Sequence, residues 1–598
     1  MPLGSLWDCK YLKKIYFMQQ FCKKFHYSSY LRVKSDRDMI TFLVCLALLV
    51  TAYFTYGRYL ERQAGADASA EMPCRRLYDG VDYVPLPRWR AFLIQLLNIA
   101  GTGPIFGAVL GACFGPVAFL WITFGGIFMG AMHDYLSGMM LVRNDGLSIP
   151  EVVGRYLGEG MRHFMRIFSV LLLVLVGAVF LLSPAQLLAN MVPAISCPVW
   201  VWLILAYYFV ATLLPIDKII GRIYPLFGVA LVAMALGLLG AVIVGDYRIP
   251  ELTTLHNFQL DPARVPIVPT LFITIACGAV SGFHCMISTG TTPKMLMNER
   301  SILPVGYGAM LTESFVGMMA LIAACSLVPN DYFAINSSAE HFQALGIQVV
   351  DLPQLNAMVG ENVAHRPGGA VSLAVGMAYI FSNLPGLDHL MNYWYHFCIM
   401  FEALFIMTII DAGTRVGRYM LQELVGHVWP KFGDPNWKPG AIVASALICA
   451  AWGYLVLNGN LSTIWPIFGV SNQLLAIIAL SISSVVICSM GKARYLWVTG
   501  LPWAFLMVMI FWADFLNIFE IYLPKGEWTM FTVSIIMAVL VIIVAIGAIR
   551  RCIYLAKTVP ASYDTTETVE AEELKHLQEL VKTDKAAQRF QELTIAHH

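Results

Sequence analysis

Two short stretches put chemically useful residue types inside otherwise apolar runs: Asn98-Ile-Ala-Gly-Thr-Gly-Pro104 and Cys277-Gly-Ala-Val-Ser-Gly-Phe-His284. Gly101 and Gly103 permit backbone conformations closed to other residues, and Pro104 lacks an N–H and crowds the preceding turn, so a helix through the first stretch is expected to unwind. The second is expected to do the same. Unwound backbone at membrane depth is tolerated only where protein buries it or where it lines a water-filled cavity. Its loose ends offer unpaired amides and a positive dipole, which suit a carboxylate. The candidate substrate contacts are therefore Ala100, Gly101, Thr102, Gly103, Pro104, Ser281, Gly282, Phe283 and His284, with Thr102 and Ser281 as hydroxyl contacts. Tight helix packing through small residues is the alternative reading of each stretch.

A charge inside a span costs about 2.5–3.5 kcal/mol on insertion scales, so each one needs a reason. His133 and Asp134 fall at the cytoplasmic end of one apolar run, Glu313 in another, and Glu402 and Asp411 in a third, with Arg415 one turn after Asp411. All six are candidates for proton coupling or gating. A salt-bridged gate or a helix end is the plain alternative for His133 and Asp134, and an i, i+4 ion pair for Asp411 and Arg415. His284 suits a carboxylate or a proton near neutral pH, or it satisfies a freed backbone carbonyl. The run from Trp465 to Gln473 reads as the start of a helix packed against the core. No P-loop, H-E-x-x-H or nucleophile elbow is present, so neither ATP-driven pumping nor protease chemistry is supported, and no cofactor or metal is expected.

The surrounding chain is 58% hydrophobic and only 13% charged over 598 residues, which places it in a membrane. A net charge of +1 gives no reason to expect a nucleic-acid partner. The thirteen cysteines form no C-x-x-C pair and read as small buried apolar residues. No cleaved signal peptide is expected. Thirteen apolar runs reach spanning length, near 39–60, 91–112, 114–138, 164–190, 198–214, 221–245, 266–288, 303–327, 391–413, 440–457, 463–489, 494–517 and 529–553. Lys and Arg alternate cleanly between their connections, so the face holding Arg75, Arg143, Lys218, Lys294, Lys492 and Arg551 is cytoplasmic. The basic residues from Lys10 to Arg37 disagree with this scheme, because they precede the first span on its outer side. An external segment at 334–390 contains a short apolar stretch, Ala370 to Phe381, expected as a re-entrant or capping helix or else as a surface helix. The two interrupted spans stand five apart and so face opposite ways, the mark of an inverted repeat with its substrate site at the midplane.

The runs Asp79 to Pro85, Asn98 to Ile105, Ile275 to His284 with Ser288 to Lys294, and Phe401 to Phe405 with Asp411 to Arg415 resemble the carbon starvation protein A (CstA) family over about residues 40–555. The resemblance implies a multi-pass carrier of the bacterial inner membrane, related to the amino acid, polyamine and cation superfamily, that takes up peptides or pyruvate. Its pyruvate members use proton symport.

The expected fold is all-α, with a LeuT-like 5+5 inverted-repeat core of ten helices at 91–489. A basic arm (1–38) and one peripheral helix (39–60) precede the core. Two peripheral helices (494–553) and a cytoplasmic amphipathic tail (554–598) follow it. The expected partners are a small-molecule substrate, a coupling ion (a proton ahead of sodium) and the lipid bilayer. A sodium-coupled carrier using Thr408 or Thr414 is the rival reading, followed by a channel or a membrane-embedded sensor; an enzyme is not expected.

Overall fold

The computed structural model describes residues 39–559 apart from 81, 214–219, 246–265, 290, 367, 385, 435–436 and 459–460. The basic arm, Lys218 and the amphipathic tail from residue 560 lie outside the described residues, and every regular element within them is helical. Among the described residues ten helices are long and apolar enough to cross a bilayer, or eleven when the one bent pair is counted as a single span. In chain order these are α1 (Ile40–Ala64), the bent pair α2 (Arg88–Ile99) and α3 (Thr102–Gly111), α4 (Val117–Arg143) and α5 (Glu159–Met191). The short α6 (Cys197–Ala211) and α7 (Ile220–Val244) come next. A second interrupted segment, α8 (Ile267–Thr274) and α9 (Phe283–Thr289), precedes α10 (Glu299–Cys325). The chain ends in α11 (Ala370–Ser382), α12 (Met391–Gly426), α13 (Lys438–Asn458), α14 (Leu461–Ser489), α15 (Trp497–Lys525) and α16 (Trp528–Thr558).

All thirteen expected runs therefore coincide with helix, but three are not continuous long spans: the run at 91–112 is bent between α2 and α3, α6 has only 15 residues, and α8 and α9 are separated by non-helical backbone. Burial sorts the helices into core and rim. In α4, α5, α10, α12 and α14, between 72% and 83% of the apolar window is buried, against 33% in α1, α7, α15 and α16. Lipid-facing helices keep large apolar side chains outward, as Leu226, Leu501 and Val508 do here, because the bilayer core is as apolar as a protein interior. α5 runs along α12, α3 packs on α10, and α16 covers α14. Gly158, at φ +101, turns the chain between helix Ile149–Leu157 and α5, a conformation that an L side chain rarely adopts.

The short apolar stretch Ala370 to Phe381 is a wedge, not a surface helix. α11 is buried almost throughout its length against α10 and α12, and a side chain at Gly376 would stand 2.0 Å from the Ala323 carbonyl. Asp331 holds the preceding loop by accepting N–H groups of Val350 (2.8 Å) and Asp351 (2.7 Å).

Candidate functional site

The first interruption is narrower than its composition suggests. α2 ends at Ile99, and only Ala100 (φ −80°, ψ 53°) and Gly101 (φ −83°, ψ −140°) leave helical geometry before α3 starts at Thr102, with a bend of 51° between the two halves. Thr102, Gly103 and Pro104 thus form the first turn of α3. Proline is tolerated there because N–H groups in a first turn have no helical partner in any case. The Thr102 hydroxyl is buried and has no hydrogen-bond partner among the described residues.

In the second interruption Ile275 to Gly282 are non-helical, and Phe283 and His284 open α9. Its backbone is held by residues that composition did not single out. Asn472 of α14 accepts the Phe283 N–H (2.8 Å) and the Ser281 hydroxyl (3.1 Å) through Oδ1, and its own carbonyl accepts the Gly282 N–H (3.2 Å). The freed carbonyls are satisfied by the Trp121 indole at Ile275 (2.8 Å), the Ser314 hydroxyl at Gly278 (3.0 Å) and the Gln473 amide at Val280 (3.0 Å). Ser281, Gly282 and Phe283 therefore have their donors committed to Asn472, and His284 is not needed as a carbonyl partner. The run before Gln473, read from sequence as the start of a helix, ends in the clamp of this interruption. An adjacent Asn-Gln pair in an apolar run was the available signal.

The two interruptions meet. A side chain at Gly103 would stand 2.2 Å from Cys277 Sγ, and one at Gly107 would stand 2.8 Å from the Thr274 carbonyl. Gln95 of α2 bonds Ser288 of α9 (3.1 Å) and Thr292, and Asn98 bonds Thr291 (3.2 Å), which ties α2 to α9 and the turn after it.

His284 links the interruption to a buried chain of ionisable groups. His133 Nδ1 lies 2.8 Å from Asp134 Oδ1, Asp134 Oδ2 lies 2.8 Å from His284 Nδ1, and His284 Nε2 lies 3.4 Å from Glu313 Oε2. Three helices contribute, α4, α9 and α10, and no member is more than 5% exposed. Among the described residues neither Glu313 oxygen has a hydrogen-bond partner, nor has His133 Nε2. His133 and Asp134 were expected at the cytoplasmic end of their span, whereas they lie about 15 Å short of it at 1.5 Å per residue. Their side chains turn inward to the second interruption, because a charge in a span must find a partner in the bundle.

The remaining candidates separate from this chain. Glu402 is 2% exposed and neither of its oxygens has a hydrogen-bond partner in the protein. Asp411 accepts from the Tyr224 hydroxyl (2.8 Å). Arg415 reaches Asp82 in the loop before α2 (3.5 Å), and Tyr419 bonds the same carboxylate. Lys294 stands over the Tyr419 ring at 4.6 Å and over the Tyr83 ring at 5.2 Å. Asp82, Lys294 and Tyr419 were not legible as a set, because residues this far apart in sequence become neighbours only through packing. Thr408 and Thr414 donate to carbonyls of their own helix, those of Phe405 (2.7 Å) and Asp411 (2.8 Å). Beside the first interruption lies a small apolar cavity of about 10 Å3, walled by Phe180, Phe283, Ile409 and Trp452.

Comparison with known proteins identifies a family and a fold. The family described as carbon starvation protein CstA matches residues 37–199 and 186–513. The peptide transporter CstA of Bacillus subtilis is 35% identical over 578 residues, covering 85% of this chain and 96% of that protein. The pyruvate/proton symporter BtsT of Escherichia coli is 32% identical over 586 residues, covering 79% of this chain and 81% of that one. Among solved structures, a mutant of the Eremococcus coleocola manganese transporter aligns with a TM-score of 0.51 at 12% identity, over 80% of this chain and 99% of that chain; it shares the fold.

Proposed function

The chain belongs to the carbon starvation protein CstA family, and from that premise we propose that it is a secondary transporter importing pyruvate or short peptides across the bacterial inner membrane by proton symport. The observation that carries the coupling is the His133–Asp134–His284–Glu313 chain, which passes through His284 in the first turn of α9, beside the second interruption. Alternating imidazoles and carboxylates pass a proton over short steps, and a change in its position alters the charge beside the interruption.

We assign the substrate carboxylate to the first interruption, where Ala100 and Gly101 are unwound and the N-terminus of α3 presents its amides and the Thr102 hydroxyl. The apolar end of the substrate then faces Phe180, Phe283, Ile409 and Trp452. The second interruption, clamped by Asn472, moves with α14 and carries the proton through His284. Glu402 is placed as a further buried acid of α12, away from this path. Alternating access follows from rocking of the two inner half-helices, which Asp82, Arg415 and Tyr419 hold shut on the cytoplasmic side.

The test is uptake of labelled pyruvate into proteoliposomes, competed by di- and tripeptides, with and without a pH gradient. Uptake accelerated by an acidic exterior supports symport. Uptake that ignores the gradient and collapses when choline replaces sodium would transfer the coupling to sodium.

A further inference from the structure

A second cavity lies away from the interrupted helices, at the cytoplasmic edge of the membrane between α1, α4, α14 and α15. Its volume is about 160 Å3. The floor is apolar, built by Leu136, Met139, Met140, Val486 and Val498, and the rim carries Arg143 and Lys492, with no carboxylate among the residues that wall it. A cavity of this size has room for a benzene-sized apolar group on that floor. The rim cations also order the end of α1: Lys492 donates to the Gln63 carbonyl (2.9 Å), and Arg143 to the Ala64 and Gly65 carbonyls (3.1 and 2.7 Å) while holding Glu299 (2.9 Å).

The occupant needs an apolar body and an anionic end. Ser483, 3% exposed in the same wall, has a hydroxyl without a protein partner, which would suit an ester carbonyl. The rim lies on the face that the Lys and Arg distribution assigns to the cytoplasm, where the leaflet is rich in anionic lipid and where basic pockets between helices bind lipid headgroups. Trp497, half exposed at the start of α15, marks the same interface. We propose that this cavity binds one anionic phospholipid of the cytoplasmic leaflet, with the upper part of an acyl chain on the apolar floor and the phosphate against Lys492. Leu136 to Met140 share α4 with His133 and Asp134, and Ser483 shares α14 with Asn472, so the lipid braces two helices that hold the transport site.

The full chain in nanodiscs tests this by thermal melting, followed through tryptophan fluorescence. Phosphatidylglycerol is expected to raise Tm over phosphatidylcholine alone. Lys492→Gln is expected to lose more than half of that shift, and so is Ser483→Leu, which fills the cavity yet leaves the rim charge in place. If Lys492→Gln fails to fold, the Ser483→Leu comparison still decides. The proposal is overturned if Ser483→Leu gains as much from phosphatidylglycerol as the unaltered chain, which would mark general surface attraction. It is overturned equally if inorganic phosphate in phosphatidylcholine nanodiscs reproduces the shift, which would mark a site for a free anion.

Discussion

Glu313 meets the buried chain through the 3.4 Å approach of His284, and its oxygens have no hydrogen-bond partner among the described residues. Replacing it by glutamine keeps the volume and removes the titrating group. Glu313→Gln is expected to retain substrate exchange between equal solutions on both sides while slowing gradient-driven uptake about 5–150-fold, the range that coupling energies of about 1–3 kcal/mol cover. Equal loss of exchange and of driven uptake would assign Glu313 to substrate binding. Trp452 tests the other end of the site. Its indole bonds the Leu173 carbonyl (3.1 Å) and occupies the space where a side chain at Gly177 would lie, only 1.9 Å away. Trp452→Ala enlarges an apolar wall, and longer 2-keto acids are then expected to compete better with pyruvate, as read by inhibition constants; an unchanged ranking would place the substrate elsewhere. The charged residues were legible one by one, since each is conspicuous in an apolar run, but their pairing was not. His133 and Asp134 looked like a helix end because distance along the chain says nothing of which way a side chain turns.

At the scale of elements the two interruptions depend on close approach and on a clamp. A methyl group at Gly103 would lie 2.2 Å from Cys277 Sγ and 2.4 Å from its Cβ, closer than side-chain atoms pack. Gly103→Ala is expected to cut uptake sharply in protein that still reaches the membrane, and Cys277→Gly in the same chain to restore part of it, a coupling that a double-mutant cycle measures. Independent, additive losses would mean that the halves do not touch in the working transporter. The clamp is Asn472. Asn472→Ala strips partners from a buried hydroxyl and a buried amide, at about 1–3 kcal/mol for each group left unpaired, so the melting temperature should fall as well as the transport rate. Glycine and proline announced both interruptions in advance. Their extents came out differently, since Thr102 to Pro104 proved able to start a helix, and the donors of the second interruption were taken by α14.

For the whole molecule α12 is latched to the loop before α2 by Asp82, Arg415 and Tyr419, with Lys294 over the Tyr419 ring. Asp82→Asn removes the charge at the centre of the latch. Cys277, kept as the single cysteine, should then react several-fold faster with an impermeant thiol reagent added to inside-out vesicles. No change in labelling would mean that the half-helices close without this contact. Hydrophobic run lengths were enough, from sequence, to determine an all-helical membrane protein, and glycine and proline marked its two interrupted spans, because both signals act locally along the chain: the bilayer sets the length and the residue type sets the break. Only the tertiary structure decided that the interruptions abut, that His284 joins Asp134 and Glu313, and that Asp82 meets Arg415. Those contacts join residues 150 or more positions apart in several cases, and packing geometry, not local propensity, brings them within reach.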